Sequence, residues 1–182
     1  MKRKSFTTQL IVMAFLVALE IILTRFLSIN TPILRIGFGF LPVAINAMLY
    51  GPLWAGACYA VGDILGMLLF PTGAYFPGFT ATAFLTGLAF GLLLYKHPIS
   101  WPRSLAAAAV VVLLLNLCLD TFWLSILMGD GVWALIPTRL IKAAVMLPIE
   151  TALITFVGKQ VLPRIPALAA TGLLAGTRPL SK

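Results

Sequence analysis

The chain has 182 residues, of which 61% are hydrophobic and 10% charged, and its mean hydropathy is +1.06. This composition is much more apolar than that of an average soluble domain and indicates an integral membrane protein. The net charge of +8 would suggest nucleic acid binding in a soluble protein. Here, however, the basic residues flank apolar spans, as orientation signals do, so we expect a lipid bilayer and no nucleic acid as the surroundings of this chain.

The apolar runs predict an all-α membrane protein, a compact bundle of six transmembrane helices. The first run, from Phe6, is too long for the core of a signal peptide and lacks a cleavage site of small residues. The predicted helices cover Phe6 to Ser28, a short span that closes at Tyr50-Gly51-Pro52, Leu53 to Phe70, Gly78 to Tyr95, Ser104 to Leu127, and a stretch from near Pro137 to Val161. Residues 1–162 would form this transmembrane domain, and 163–182 a loose cytoplasmic tail.

The distribution of lysine and arginine predicts that both termini are cytoplasmic. With six helices, nine of the thirteen basic residues fall on the inner side. These nine are Lys2, Arg3, Lys4, Lys96, Arg103, Lys159, Arg164, Arg178 and Lys182. The four exceptions, Arg25, Arg35, Arg139 and Lys142, lie at or just below the outer surface.

Those outer basic residues have two interpretations. They could extend to the interface, as basic side chains near helix ends often do. Arg139 and Lys142, however, lie one turn apart on one face, where like charges repel unless an anion lies between them. For this pair we favour a shared anion site.

Acidic residues within the apolar runs mark the predicted site. Glu20, Asp63 and Asp120 fall at similar depth, and a carboxylate at membrane depth should face protein, water or a partner. Asp63 lies in a predicted helical hairpin whose loop carries the aromatic residues Phe70, Tyr75, Phe76 and Phe79 above the acid.

A polar stripe on the fifth helix predicts one wall of a pocket. Asn116, Asp120 and Trp123 follow i, i+4, i+7 spacing, which places an amide, a carboxylate and an indole on one face. Asn116 and Asp120 could instead join helices by hydrogen bonds, and Trp123 could anchor the helix at the interface. Pairs of small residues, Ala14/Ala18, Gly62/Gly66 and Gly87/Gly91, predict close helix contacts.

Signs of catalysis are missing from the sequence. It has no nucleophile-base pair, metal-ligand cluster or phosphate-binding glycine loop. We therefore expect no enzyme activity, no metal and no cofactor.

The chain resembles the substrate-binding S components of energy-coupling factor (ECF) vitamin transporters, most closely the folate-specific branch. The similarity covers about residues 7 to 160 and depends on three pieces. They are Arg35-Ile36-Gly37-Phe38-Gly39-Phe40-Leu41-Pro42, the stretch from Asp63 through Phe70-Pro71-Thr72-Gly73-Ala74-Tyr75-Phe76-Pro77 to Thr80, and Arg139 with Lys142. The first piece is shared by several vitamin specificities, whereas the second is typical of the folate branch.

The resemblance implies a cell-membrane subunit that binds a vitamin from outside and has no ATPase of its own. It would dock through Ala14 and Ala18 onto a transmembrane coupling protein that carries two ATPase subunits, and topple in the membrane to deliver the vitamin. An S component for another vitamin, such as pantothenate, is the main alternative, and a membrane assembly subunit is a further one.

Together, the residue patterns and the resemblance predict a folate pocket. Its expected members are Arg25, Phe38, Asp63, Phe70, Tyr75, Phe79, Asn116, Asp120, Trp123, Arg139 and Lys142. We expect Arg25, Arg139 and Lys142 to bind the glutamate tail of folate near the surface, and Asp63 or Asp120 to face the pterin below them.

Overall fold

The structure, a computed structural model, describes residues 6–30, 35–71, 75–129 and 132–162. The predicted cytoplasmic tail at 163–182 and residues 72–74 of the aromatic loop lie outside the described residues, as does the side chain of Arg35. The remaining predictions on the six helices can be compared with the structure directly.

Six helical segments follow one another along the described chain. Helices α1 to α4 cover Phe6–Arg25, Phe40–Tyr50, Pro52–Leu69 and Pro77–Leu94. Helix α5 runs without interruption through Trp101–Ala109, a π-helical stretch at Val110–Leu119, and Asp120–Met128, and α6 covers Val132–Phe156 and ends in a π-helical turn at Val157–Val161. All except α2 are long and apolar enough to cross a bilayer, which confirms the predicted all-α membrane fold.

Aromatic contacts show that α1 and α3 run in the same direction. The rings of Phe6 and Trp54 pair at one end, with centroids 6.4 Å apart, and those of Phe26 and Phe70 pair at the other end, 4.9 Å apart. The short α2 connects the two helices and therefore runs in the opposite direction.

Glycines bring α3 and α4 into backbone contact as an antiparallel pair. A Cβ atom added at Gly87 would lie 2.5 Å from the carbonyl oxygen of Ala55, and one at Gly56 would lie 2.9 Å from that of Phe84. Gly91 lies directly against the backbone of Pro52. The prediction that Gly87 and Gly91 serve close helix packing is thus confirmed.

Helices α5 and α6 complete the up-and-down order. Arg139 on α6 contacts the backbone of Asn116, and Gly158 packs against Ile99, just before α5. Because these contacts pair the start of one helix with the end of the other, α5 and α6 are antiparallel. The first described helix begins, and the last ends, on the same face, as the charge distribution predicts for a cytoplasmic face.

A short hairpin replaces the end that we predicted for the first helix. The helix ends at Arg25 rather than Ser28, and strand β1, Ser28–Asn30, pairs antiparallel with β2, Arg35–Gly37. The Ser28 hydroxyl donates a hydrogen bond to the Thr24 carbonyl, so it takes the place of the backbone N–H of a continued helix. Gly37 faces Ser28 in the register, and a side chain there would collide with the Ser28 Cβ at 2.6 Å.

Helix α2 lies at the centre of the bundle. Eight of its eleven residues are buried, although at about 1.5 Å per residue it is only roughly 16 Å long. The core around it combines Leu16 of α1, Phe90 of α4, Val111 of α5 and Ile154 of α6. The long helices therefore surround a short one, and polar groups can approach each other above it.

We expect Gly87→Val to destabilise the bundle by about 1–3 kcal/mol, because the added carbons meet the α3 backbone, which cannot move aside. Thermal unfolding of the purified protein in detergent measures the effect. Ala81→Val is the matched control, since Ala81 is an exposed small residue on the same helix. Equal unfolding temperatures for the two variants would contradict the close contact of α3 and α4.

Candidate functional site

The outer ends of α3 and α4 are joined by a polar contact around Asp63. The Thr80 hydroxyl donates a hydrogen bond to Asp63 Oδ2 at 2.8 Å, and the Tyr75 hydroxyl lies 3.2 Å from Thr80 Oγ1. Asp63 therefore faces α4 rather than lipid, which confirms the expectation that this acid has a protein partner. Tyr75 is half exposed, so the contact extends to the rim of the bundle.

Thr82 connects α4 to α5. The indole N–H of Trp123 donates a hydrogen bond to Thr82 Oγ1 at 3.2 Å, and the Thr82 hydroxyl donates to the carbonyl of Gly78 at 3.2 Å. The single proton of this hydroxyl can alternatively be donated to the Asp120 carboxylate, which lies within its reach. Thr82 is 3% exposed, so it joins two predicted pocket residues away from bulk water.

Three charged side chains lie within electrostatic range of Asp120, and with Asp120 we call them the four-charge cluster: Asp63, Asp120, Arg139 and Lys142. Asp120 interacts electrostatically with both basic residues and with Asp63. Opposite charges at low dielectric attract strongly, whereas each alone would be costly to bury. All four were predicted members of one pocket, and the cluster contains equal numbers of each sign.

Arg139 offers a donor that no described residue uses. Its Nη1 donates a hydrogen bond to the Asn116 carbonyl at 3.0 Å, but its buried Nε has no hydrogen-bond partner among the described residues. The side chain is only 9% exposed. A buried, unsatisfied guanidinium donor is costly, and it is a ready partner for a ligand acceptor.

A cavity of about 10 Å³ lies beside this donor, lined by Asn116, Arg139, Lys142 and Met146 with neighbouring apolar residues. That volume holds about one water molecule, whereas sites for small organic ligands usually need about 300 Å³ or more. Side chains must therefore move before a ligand of that size can enter. Asn116, one of the three residues of the predicted pocket wall, lines this cavity.

The depth order of the charges differs from our expectation. We expected the bases near the surface and the acids below them. Because α5 runs outward, Asn116 lies one turn inward of Asp120, and Arg139 binds at the level of Asn116. Lys142 lies a further turn inward along α6. The expectation was wrong because it placed the charged residues relative to helix ends that were read from the sequence. The contact of α5 with α6 sets the depth at which these residues actually lie.

Aromatic rings cover the outer side of the cluster. The ring of Phe76 lies 5.6 Å from that of Trp123 and 6.1 Å from that of Phe79, and Phe122 packs on the far side of Trp123 at 5.1 Å. Phe79 and Trp123 were predicted site residues, whereas Phe76, which connects them, was left out of the predicted pocket. Phe76 lies one residue before the start of α4, close in sequence to Phe79, and this position could have indicated that it belongs to the same aromatic group.

Three other predicted site residues lie elsewhere on the rim. Arg25 packs against Gly66 at the contact of α1 with α3, where Phe70 also lies against the α1 end. Phe38 is 44% exposed beside the hairpin. These positions surround the mouth of the bundle rather than the cavity beside Arg139.

Glu20 shares the depth of Asp63 but not its surroundings. Its carboxylate occupies the notch at Gly62, where an added Cβ would lie 2.5 Å from Oε2, and it accepts a hydrogen bond from Thr24 Oγ1 at 2.7 Å. Gly62 and Gly66 thus make room for polar side chains of α1. Glu20 and Asp63 lie at similar depth, as predicted. The Glu20 carboxylate, however, lies between α1 and α3 and not in the four-charge cluster.

Comparisons with known proteins agree on one family. The chain matches the family model described as ECF transporter, substrate-specific component, over residues 8–158. The chain belongs to this family. It is therefore a substrate-binding transport component in a membrane, here called an S component, and not an enzyme.

Relatives of this S component have closely similar lengths. A protein named Folate transporter FolT in Clostridium novyi (strain NT) is 50% identical over 152 residues, or 84% of this chain and 88% of the relative. Another of that name in Leuconostoc mesenteroides is 35% identical over 156 residues, or 82% and 84%. The crystal structure of FolT bound with folic acid superposes with a TM-score of 0.81 at 38% identity, covering 85% of this chain and 94% of that one.

We expect Thr82→Val to destabilise the S component by about 1–3 kcal/mol, because the change leaves the Trp123 N–H and Asp120 without their shared partner. Thermal unfolding in detergent again provides the measurement. Thr86→Val is the control, since Thr86 is equally buried but its hydroxyl donates only to the Thr82 carbonyl of its own helix. A similar loss in both variants would show that Thr82 does not hold α5.

Proposed function

We propose that this S component binds folate from outside in the cell membrane and passes it on for uptake. The observation that carries the proposal is the unsatisfied Nε of buried Arg139, beside Asn116 and the Asp120 carboxylate. A pterin ring presents adjacent N–H donors and ring acceptors on one edge. A carboxylate and a guanidinium complement that edge in a planar, bidentate manner. The names of the relatives support the same vitamin.

Charge balance suggests which end of folate lies deepest. The four-charge cluster already contains two carboxylates and two cations. Adding the two carboxylates of the glutamate tail would leave uncompensated negative charge in a low-dielectric site, whereas a neutral pterin adds none. We therefore place the pterin deep in the site, as the sequence suggested, but with Arg139 beside Asp120 at the pterin and not at the glutamate tail.

The rim then suits the rest of the vitamin. Phe76, Phe79 and Trp123 lie on the outer side of the cluster, where flat rings can stack on the pterin and the benzoyl group. Arg25, at the outer end of α1, is only partly buried and can bind the glutamate tail close to water. Tyr75 lies on the same rim.

Arg139→Ala should weaken folate and pteroate about equally, by roughly 10- to 100-fold, since both ligands carry the pterin and one charged hydrogen bond is worth about 1.5–3 kcal/mol. Pteroate lacks the glutamate. Arg25→Ala should weaken folate by about fivefold and leave pteroate almost unchanged, as expected for a partly exposed ion pair. Dissociation constants measured by titration calorimetry on the detergent-purified protein test both.

The control for these variants is Arg103→Ala, which removes an exposed arginine at the inner end of α5 and should alter neither affinity. If Arg139→Ala weakened folate much more than pteroate, the glutamate tail would lie at Arg139. The proposed orientation, with the pterin against Asp120 and Arg139, would then be wrong. If wild-type protein failed to bind folate, the folate assignment itself would be wrong.

A surface for partner subunits lies on α1. Ala14 and Ala18 are both exposed, and they continue a stripe with Leu10 and Ile22, which are 44% and 48% exposed. Small residues at the centre of an apolar stripe allow a second helix to approach closely. We propose that this stripe contacts the transmembrane coupling protein of an ECF module, whose two ATPases would drive uptake.

Changing Ala14 and Ala18 together to Trp should abolish folate uptake by vesicles that contain the whole module, while the isolated S component keeps near-normal affinity. The reason is steric, because indole rings would hold the partner helix away. Ala106→Trp, at an exposed alanine near the inner end of α5, is the control and should retain uptake. Normal uptake by the α1 variant, or loss of folate binding, would contradict this assignment.

A further inference from the structure

Glu150 is a buried acid that the folate site does not use. It lies on α6, about 12 Å inward of Lys142 at 1.5 Å per residue, and is 2% exposed. Its Oε2 is buried and has no hydrogen-bond partner among the described residues. An ionised carboxylate in this position would leave Oε2 without the hydrogen bond that a buried charge requires.

Lys142 links Glu150 to the four-charge cluster. Its charge acts on Asp120 outward and on Glu150 inward. The titratable and charged groups on the helices packed against α6 are Asp120, Cys118 and Arg103 of α5 and Tyr50 of α2. Among the described residues, Lys142 is the one whose charge acts on Glu150.

Entry of a ligand must displace Lys142. The cavity between Asn116 and Lys142 has a volume of about 10 Å³, far too small for a pterin. A pterin that donates its N–H groups to Asp120 also replaces Lys142 as a partner of that carboxylate. The long, flexible side chain of Lys142 can then turn inward, where Glu150 is the acid within its electrostatic reach.

We propose that Glu150 carries a proton in the vitamin-free protein and releases it to solvent when bound pterin moves Lys142 inward to pair with the Glu150 carboxylate. The inference rests on the proposed function. The O–H bond of the Glu150 carboxyl breaks, its proton leaves to water, and the Lys142 ammonium keeps its own proton. Folate binding thus releases up to one proton, and Glu150 is a positioning residue for Lys142.

The sign of the pH dependence follows from this release. Because the bound state holds fewer protons than the free state, folate should bind more tightly as pH rises through the range in which Glu150 titrates, by at most about tenfold per pH unit. Glu150→Gln mimics the protonated acid at every pH. Its affinity should equal that of wild type at the acidic end of that range and stay constant, so that wild type binds more tightly at the alkaline end.

Titration calorimetry of the full chain with folate, in buffers of different ionisation enthalpy, counts the protons directly. We expect wild type to release a fraction of a proton that approaches one, Glu150→Asp to retain the release, and Glu150→Gln to show none. The glutamine variant also controls for titration of folate itself. A merely structural role of Glu150 would change affinity without changing the proton count.

Three results would overturn the inference: no proton exchange in wild type, proton uptake in place of release, or unchanged release in Glu150→Gln. The last result would point to another group such as Asp120. Folate binding without Glu150-dependent release would reject this inference alone. Absence of folate binding in wild type would reject both it and the proposed function.

Discussion

Charges inside an apolar bundle must be compensated where they lie, and this constraint determines the outer half of the molecule. Asp120 is stabilised by the Thr82 hydroxyl and by the charges of Arg139 and Lys142, which come from a different helix. Separating α4, α5 and α6 would expose these groups to lipid without partners, at a free-energy cost of several kcal/mol for each group. The polar contacts therefore hold the helices together and also line the proposed ligand site.

The glycine contacts make this arrangement possible. Gly56 and Gly87 let α3 and α4 touch through their backbones, and Gly62 makes room for the Glu20 carboxylate at the contact with α1. Two helices in such close contact act as one rigid unit, because interiors at this density resist local movement. Asp63 and Thr82 are carried by this rigid pair, so their positions are fixed before a ligand arrives.

Much of the fold could be predicted from the sequence, because apolar length alone defines five of the helices and charge asymmetry defines their direction. The hairpin after α1 could not, since it depends on the Ser28 hydroxyl and on the pairing of Ser28 with Gly37. Periodic patterns do not show such local hydrogen bonds. The early end of α1 follows from the same cause.

The sequence indicates the charged residues of the candidate site but not their arrangement. Asp63, Asp120, Arg139 and Lys142 stand out in the sequence because charges are rare at membrane depth. Their relative depth depends on the axial offset between α5 and α6, and no residue pattern within one helix defines that offset. Thr82 was passed over because a lone threonine in a helix usually bonds its own backbone, and only its contacts across α4 and α5 distinguish it.

The two sides of the site differ in their ability to move. The α3–α4 side is held by backbone contacts at glycines, whereas the α5–α6 side carries backbone features that loosen a helix. Residues Val110–Leu119 of α5 are π-helical, and α6 contains Pro137 and Pro148, each of which removes one backbone hydrogen bond. Arg139 and Lys142 lie between those prolines, and Asn116 lies in the π-helical stretch. Opening of the small cavity therefore requires least disruption when α5 and α6 adjust around a fixed α3–α4 pair. Arg139 and Lys142 then shift to admit a ligand, while Asp63 and Thr82 keep their places.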